Sequence, residues 1–224
     1  RAYINRWGVA PGKRVAIFTN NDDGWRTAQD LKAKGVDVTA VIDARSRPAL
    51  ALVPGAEVVT SGQVADVIGR KAVSAIKLTN GQSVEADCLA VSGGWNPNVH
   101  LTCHQRGIPQ WHEDIAAFVP SKDMPVGMTV AGAANGALTL GAALLQGTEA
   151  GIASASAAGF AAASAAPPSA EDEPCDTAAF WHVSESKGRA WLDLQNDVTV
   201  KDIQQASLEG FRSVEHLKRY TTLG

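Results

Sequence analysis

Thr19, Asn21 and Gly24 stand at the three glycine places of a G-x-G-x-x-G turn, and Asp43 follows about 20 residues later. With glycines there, the backbone lets a pyrophosphate approach the N–H groups at a helix start, and the acid binds a ribose 2′-hydroxyl. Two of the three glycines are replaced. Asn21, Asp22 and Asp23 are also ordinary helix N-capping residues, and two carboxylates fall where phosphates would lie. Asp43 therefore admits two readings. As a ribose ligand it favours NAD over NADP, although Arg45 and Arg47 pull the other way. Otherwise it ends a strand and pairs with a nearby arginine.

Other reactive side chains suggest less. His100 and His104 have the i, i+4 spacing that puts two imidazoles on one helical face. No third ligand is evident, and polar loop or helix positions account for them. There is no G-x-S-x-G element and no Cys/His pairing for nucleophilic catalysis. Cys88, Cys103 and Cys175 are odd in number and far apart, which supports neither a zinc site nor a disulfide framework and fits a reducing, cytoplasmic setting. A net charge of −3 gives no basic surface for nucleic acid, and no apolar run is long enough to span a membrane.

The elements that must position these residues follow from periodicity. Arg1 to Trp7 reads as a helix end entering a turn at Gly8–Gly12. Val15 to Phe18 is a buried strand. The next helix has Thr27, Ala28, Leu31 and Ala33 on one face and stops at Gly35, and Val38 to Ile42 reads as a fully buried parallel strand. Val58 to Thr60 is a third short strand. Residues 72–91 alternate around Asn80-Gly81, which predicts a three-stranded antiparallel excursion and a return strand from Cys88 to Val91. Met128 to Ala131 is expected as a further strand and 138–163 as an Ala-rich helix. The stretch 164–180, acidic and proline-bearing, reads as a linker. Beyond it, Trp191 to Val198 is extended. Thr199 and Asp202 form a capping pair at one helix start, and Val214 to Tyr220 is a second helix behind Ser213. The chain opens on Arg1 and closes on a helix-like run, so it reads as a piece of a longer polypeptide.

Several long segments together resemble the α subunit of heterotetrameric sarcosine oxidase. They are YINRWGVAPGKRVAIFTNNDDGWRTAQDL, VIDAR, SGGWNPN, AGAANGALTLGAALLQGTEAG and LQNDVTVKDIQQASLEGFRSVEHLKRYTTLG, and they cover nearly the whole sequence. The resemblance implies an α/β fold with disulfide-reductase-like dinucleotide-binding architecture, an antiparallel β excursion and a small C-terminal helical segment. Residues 1–87 would be an inserted NAD-type domain, and 88–163 the returning half of an FAD-type domain. The linker (164–180) and a helical module (181–224) would follow. That module is related to iron–sulfur domains, whose members carry C-x-C ahead of the helix. Here Asp193 and Gln195 stand in those places, so no cluster is expected.

The resemblance further implies a complex that oxidises sarcosine with oxygen to glycine, a one-carbon unit and hydrogen peroxide. NAD would be held in this subunit without hydride transfer, FMN would lie at the subunit interface and FAD in the partner β subunit. The partners would be that β subunit and smaller subunits. No residue of the present sequence is expected to be catalytic. The FAD-type half usually carries a G-D dipeptide near its cofactor, and Gly132-Ala133 replaces it here. Gly94, Trp95, Asn96, Gly132, Ala133 and Asn135 are the expected nucleotide-site residues, with Thr19, Asn21 and Asp43 as a second-choice site. The rival readings are an NAD(P)H-dependent flavoprotein reductase and the α subunit of an opine- or proline-type amino-acid dehydrogenase.

Overall fold

The computed structural model describes residues 1–48, 53–161, 165–171, 173 and 175–224. Two compact units emerge, Arg1–Phe180 and Trp181–Gly224.

In the first unit, helix α1 (Ala2–Trp7) leads to strand β1 (Arg14–Thr19), helix α2 (Asp22–Ala33), strand β2 (Asp37–Asp43) and strand β3 (Glu57–Thr60). An antiparallel excursion follows, β4 (Val64–Ile68), β5 (Ala75–Leu78) and β6 (Ser83–Glu85), and β7 (Cys88–Ser92) then returns to the main sheet. The main sheet is parallel, in the order β3-β2-β1-β7. The first strand of the excursion lies earlier than the alternation predicted, at 64–68. The turn at Asn80-Gly81 joins β5 to β6 as expected.

Both faces of β1 and β2 are covered, which is why their sequences are continuously apolar. Val15, Ile17, Val38 and Val41 pack with Trp25, Ala28 and Leu31 of α2. Ala16, Ala40 and Ile42 face Ile76, Leu78, Val84 and Ala86 of the excursion. A register shift between Val15 and Ala16 sets Val38 and Val41 on one face despite their odd spacing. Each such fully buried aliphatic side chain contributes roughly 1.5–3 kcal/mol. Gly35, with φ 78°, follows α2 where any residue with a Cβ would be strained.

After β7 come a 3₁₀ segment (His100–Arg106), the hairpin β8 (Gln110–His112) and β9 (Ala117–Val119), a 3₁₀ turn (Gly132–Asn135), and helix α3 (Leu140–Ala157). Met128–Ala131 is not a strand. Among the described residues β7 is the sheet edge, and nothing beside it offers a ladder to a further strand. Helix α3 starts behind Thr139 and stops before Gly159. Of the longer helix expected, 162 and 163 lie outside the described residues, as do 164, 172 and 174 of the expected linker.

The second unit holds the two-stranded ladder β10 (Trp191–Asp193) and β11 (Val198–Thr199), then helices α4 (Val200–Leu208) and α5 (Val214–Thr221). The predicted capping pair is present: Asp202 accepts the Thr199 backbone N–H at 2.8 Å. No described helix is long and apolar enough to cross a membrane.

Candidate functional site

The turn after β1 is closed by its own side chains. A helix start leaves four N–H groups without helical partners, and these are what a phosphate would use. In α2 all four are taken. The Asn21 N–H donates to Thr19 Oγ1 at 3.1 Å and the Asp22 N–H to the Asp176 carbonyl at 3.1 Å. The Asp23 and Gly24 N–H groups both donate to Asn21 Oδ1, at 3.0 and 3.3 Å. Asn21 Nδ2 in turn donates to the Ser92 carbonyl at 2.9 Å, which ties the turn to the end of β7. The third glycine place is kept for packing: a Cβ on Gly24 would lie 2.3 Å from Thr19 Oγ1.

Asp43 is equally committed. It is wholly buried, and its Oδ2 accepts from Trp25 Nε1 at 2.6 Å and Arg45 Nη2 at 2.8 Å. Its Oδ1 accepts the Arg45 backbone N–H at 2.8 Å and Arg45 Nε at 3.1 Å. Arg45 Nη1 donates to Asp22 Oδ1 at 2.8 Å and to the Asp176 carbonyl at 2.9 Å. Burial works against the Arg45 charge, but the bonds and charges of Asp43 and Asp22 outweigh it and hold the guanidinium above its ordinary pKa. Of the two readings of Asp43, the geometry matches the arginine-paired one, and no lone pair is left facing a ribose.

The end of the stretch read as a linker is packed against this turn. Asp176 N–H donates to Asp22 Oδ2 at 2.8 Å, Thr177 bridges Asn21 in the antiparallel sense, and Ala178 N–H donates to the Asn20 carbonyl at 2.9 Å. Asn20 Nδ2 returns a bond to the Ala178 carbonyl at 2.6 Å, and Phe180 meets Phe18 edge-on at 5.8 Å. Residues 175–180 thus form a strap across the carboxyl end of β1, where an α/β sheet ordinarily takes its ligand.

A second hollow is open. This cleft, of about 610 Å³, is bounded by Asn21–Asp23 and Arg26 of α2, by Trp95–Asn98, by Ala133, Ala134 and the start of α3, and by Cys175 and Thr177 of the strap. Its size falls within the roughly 300–1,000 Å³ of cofactor and small-molecule sites. The Trp95 ring is 62% exposed and is held by a bond from its Nε1 to Asp23 Oδ2 at 3.1 Å. On the α2 side, Arg26 pairs with Asp23 and Glu173, and Arg1 with Asp23 and Asp30. The α3 side is apolar and bears no acid. Thr139 Oγ1 caps that helix by accepting the Ala142 N–H at 3.3 Å.

Of the expected site residues, Trp95, Asn96, Ala133 and Asn21 come together at this cleft. Gly132 and Asn135 lie behind it, both donating to Gln146 Oε1, at 3.0 and 3.4 Å. Gly94, with φ 105°, passes close to Thr177. Thr19 and Asp43 are buried apart from it. Arg1, Arg26, Thr139, Cys175 and Thr177 were not expected there. They converge from distant parts of the sequence, and only Thr139 had a readable signal, as a hydroxyl ahead of an Ala-rich run.

In the second unit, Asp193 gathers the loop between β10 and β11. Its carboxylate accepts the N–H groups of Gln195 (2.8 Å), Asn196 (3.2 Å) and Gly224 (3.1 Å), and the Asn196 side-chain amide at 2.8 Å. These bonds, that of the Asn196 side chain foremost, bring its pKa down to about 2. Among the described residues no three His, Cys, Asp or Glu side chains cluster as metal ligands, His100 and His104 included.

The whole sequence aligns at 40% identity with sarcosine oxidase subunit alpha of Rhizobium meliloti (strain 1021), and at 37% with that of Corynebacterium sp. (strain U-96). The chain is homologous to sarcosine oxidase α subunits. It spans about a quarter of the length of these relatives, 23% and 25%. Residues 187–224 match the family described as the sarcosine oxidase A3 domain. The fold is similar to the crystal structure of L-proline dehydrogenase from P. horikoshii, with a TM-score of 0.65 and 18% identity over 99% of this chain and 42% of that one. The fold of this chain is thus a parallel dinucleotide-binding-type sheet whose first turn is filled by protein.

Proposed function

We propose that this chain is the nucleotide-binding scaffold portion of a sarcosine oxidase α subunit. The assembled enzyme oxidatively demethylates sarcosine with oxygen to glycine, a one-carbon unit (formaldehyde or methylenetetrahydrofolate) and hydrogen peroxide. FMN lies at the contact with the β subunit, and FAD in that partner. This chain supplies no acid, base or nucleophile to the reaction. Its nucleotide is NAD, held without hydride transfer.

One observation carries this reading: the Trp95–Ala133 cleft is open and of cofactor size, while the α2 crevice has no donor left. The exposed Trp95 ring offers a face for a base. The phosphates belong on the α3 side, where a helix of 18 residues begins behind Thr139 and no carboxylate lines the wall. Ala133 contributes to that neutrality. Helix α3 has no buried residue, which suits a surface that further protein covers in the assembled enzyme.

Native mass spectrometry of the full α subunit in its complex tests the reading. Retained mass near that of NAD is expected, with binding weakened at least tenfold by Ala133→Asp and several-fold by Trp95→Ala. Undiminished retention in both variants would remove the cleft from consideration. Reduction of a bound flavin by added NADH would favour the reductase reading instead.

A further inference from the structure

We propose, resting on the reading of the Trp95–Ala133 cleft as a nucleotide site, that Asp23 is its positioning residue: the Asp23 carboxylate fixes the Trp95 ring on which the base stacks. The backbone does little to orient that ring. Residues 93–99 form no regular structure, and Gly93 and Gly94 stand immediately ahead of Trp95. A Cβ on Gly93 would meet nothing within 4 Å, and Gly94 has φ 105°. Two glycines in such a place leave the chain free to swivel. The ring itself is 62% exposed. An indole has one donor, Nε1, and here it goes to Asp23 Oδ2 at 3.1 Å. The acceptor is ionised, which makes this bond stronger than one between neutral groups.

Asp23, by contrast, is held from every side. It is the second residue of α2, where a carboxylate suits the positive end of the helix. Its N–H donates to Asn21 Oδ1 at 3.0 Å, and its carbonyl accepts from Thr27 Oγ1 at 2.8 Å. The two carboxylate oxygens divide their work. Oδ1 accepts from Arg1 Nη1 and from Arg26 Nε, each at 3.0 Å, which leaves Oδ2 to the indole. The acceptor is therefore fixed before any ligand arrives.

A released ring would have somewhere else to go. Asp23 and Trp95 line not only the cleft but also a hollow of about 590 Å³ beside β7, whose other walls include Asn5, Ile17, Thr27 and Val91. The Asp23–Trp95 bond is part of what parts the two spaces, and without it the ring can turn from one to the other. Ordering a loose side chain on binding lowers affinity, and a ring ordered in advance avoids that loss, about two- to tenfold for one side chain.

The test is NAD titration of the full α subunit in its complex, read by native mass spectrometry. Asp23→Ser suits a helix start but is too short to reach the indole; it should weaken NAD binding about two- to tenfold. Asp23→Ala serves where the serine variant does not assemble. Asp23→Asn keeps an acceptor for Nε1 and should restore most of the affinity. Asp30→Asn is the structural control. Asp30 accepts from Arg1 Nε at 2.7 Å and Asn5 Nδ2 at 3.0 Å, so this change loosens α1 from α2 and leaves Trp95 alone; NAD binding should be unchanged. In a Trp95→Ala background, Asp23→Ser should add nothing. A loss in Asp30→Asn equal to that in Asp23→Ser, or an Asp23→Ser effect that persists undiminished without Trp95, would make Asp23 a structural residue and overturn the proposal. Unaltered binding in Asp23→Ser, with Trp95→Ala weakened, would also overturn it and leave the cleft reading standing. Unaltered binding in both Trp95→Ala and Ala133→Asp would remove the cleft itself. A readout without ligand is ¹⁹F NMR of the full chain labelled with fluorotryptophan. The Trp95 signal, assigned by its loss in Trp95→Ala, should shift in Asp23→Ser and hold its place in Asp30→Asn; a signal unmoved by Asp23→Ser would sink the proposal whatever binds.

Discussion

Two crevices of the first unit, at the start of α2 and at Trp95–Ala133, differ in what occupies them. At the start of α2, Asn21, Asp176 and Thr19 satisfy all four free helix N–H groups, and Arg45 satisfies Asp43 and Asp22. At the Trp95–Ala133 cleft the walls meet across open space. Side chains and a strap can thus supply, at the first turn of a βαβ frame, the hydrogen bonds that a pyrophosphate would otherwise accept. Buried donors must be paired by something, and here the chain itself does it.

The strongest way to break that comparison is to remove the residue joining strap, turn and strand. Arg45→Gln leaves Asp43 and Asp22 buried together without their cation. The expected loss is about 3–5 kcal/mol of stability at neutral pH, typical of orphaning one side of a buried ion pair. Urea titration of the full chain by circular dichroism reads it. A loss below about 1 kcal/mol would mean that the acid–arginine knot is not what holds the crevice shut.

A smaller change asks whether the missing glycine alone closed the site. Asn21→Gly restores the second fingerprint glycine but deletes the cap and the bonds to Ser92. Gly in place of Asn at an N-cap costs only a few tenths of a kcal/mol, and the lost Nδ2 bond about 1 kcal/mol more. The expected outcome is about 1–2 kcal/mol of destabilisation with no gain of NADH binding by fluorescence, because Asp176 still covers the Asp22 N–H. New saturable binding at α2 would show that Asn21, not the strap, is the lock.

The frame was legible because its signals are apolar runs and local turns. Val15–Phe18 and Val38–Ile42 declare strands buried on both faces, Asn80-Gly81 a hairpin, and Thr199 with Asp202 a capped helix. The strap was not legible. Glu171 to Ala179 has the composition of a linker, and its contacts use mostly the backbone of Asp176 and Ala178, which side-chain identity does not advertise. The partnership of Arg45 with Asp22 spans 23 positions and has no periodicity to betray it. The β8–β9 hairpin was missed for another reason. It lacks a turn signature and is mostly exposed, and Trp111 meeting Phe118 at 5.3 Å marks it only in three dimensions.

The finest test sets Asp43 against Asp193, since each gathers several donors but only the first does so away from water. Asp193 has its pKa lowered from 3.8 to about 2 by the Asn196 side chain and the Gly224 and Gln195 N–H groups. A depressed carboxylate pKa stabilises the folded loop above the unfolded value and loses that contribution as pH falls through the folded one. The bonds from Gln195 and Gly224 should therefore persist at pH 4 and loosen as pH falls through about 2. Amide ¹H shifts of these two residues, followed from pH 5 to 1.5, should titrate together with a midpoint near 2. In Asp193→Asn that shared step should vanish while the α4 cap at Thr199 stays in place. A midpoint at the ordinary 3.8 would mean that the loop is held by its backbone alone, and that solvent leaves an exposed carboxylate none of the organising role that burial gives Asp43.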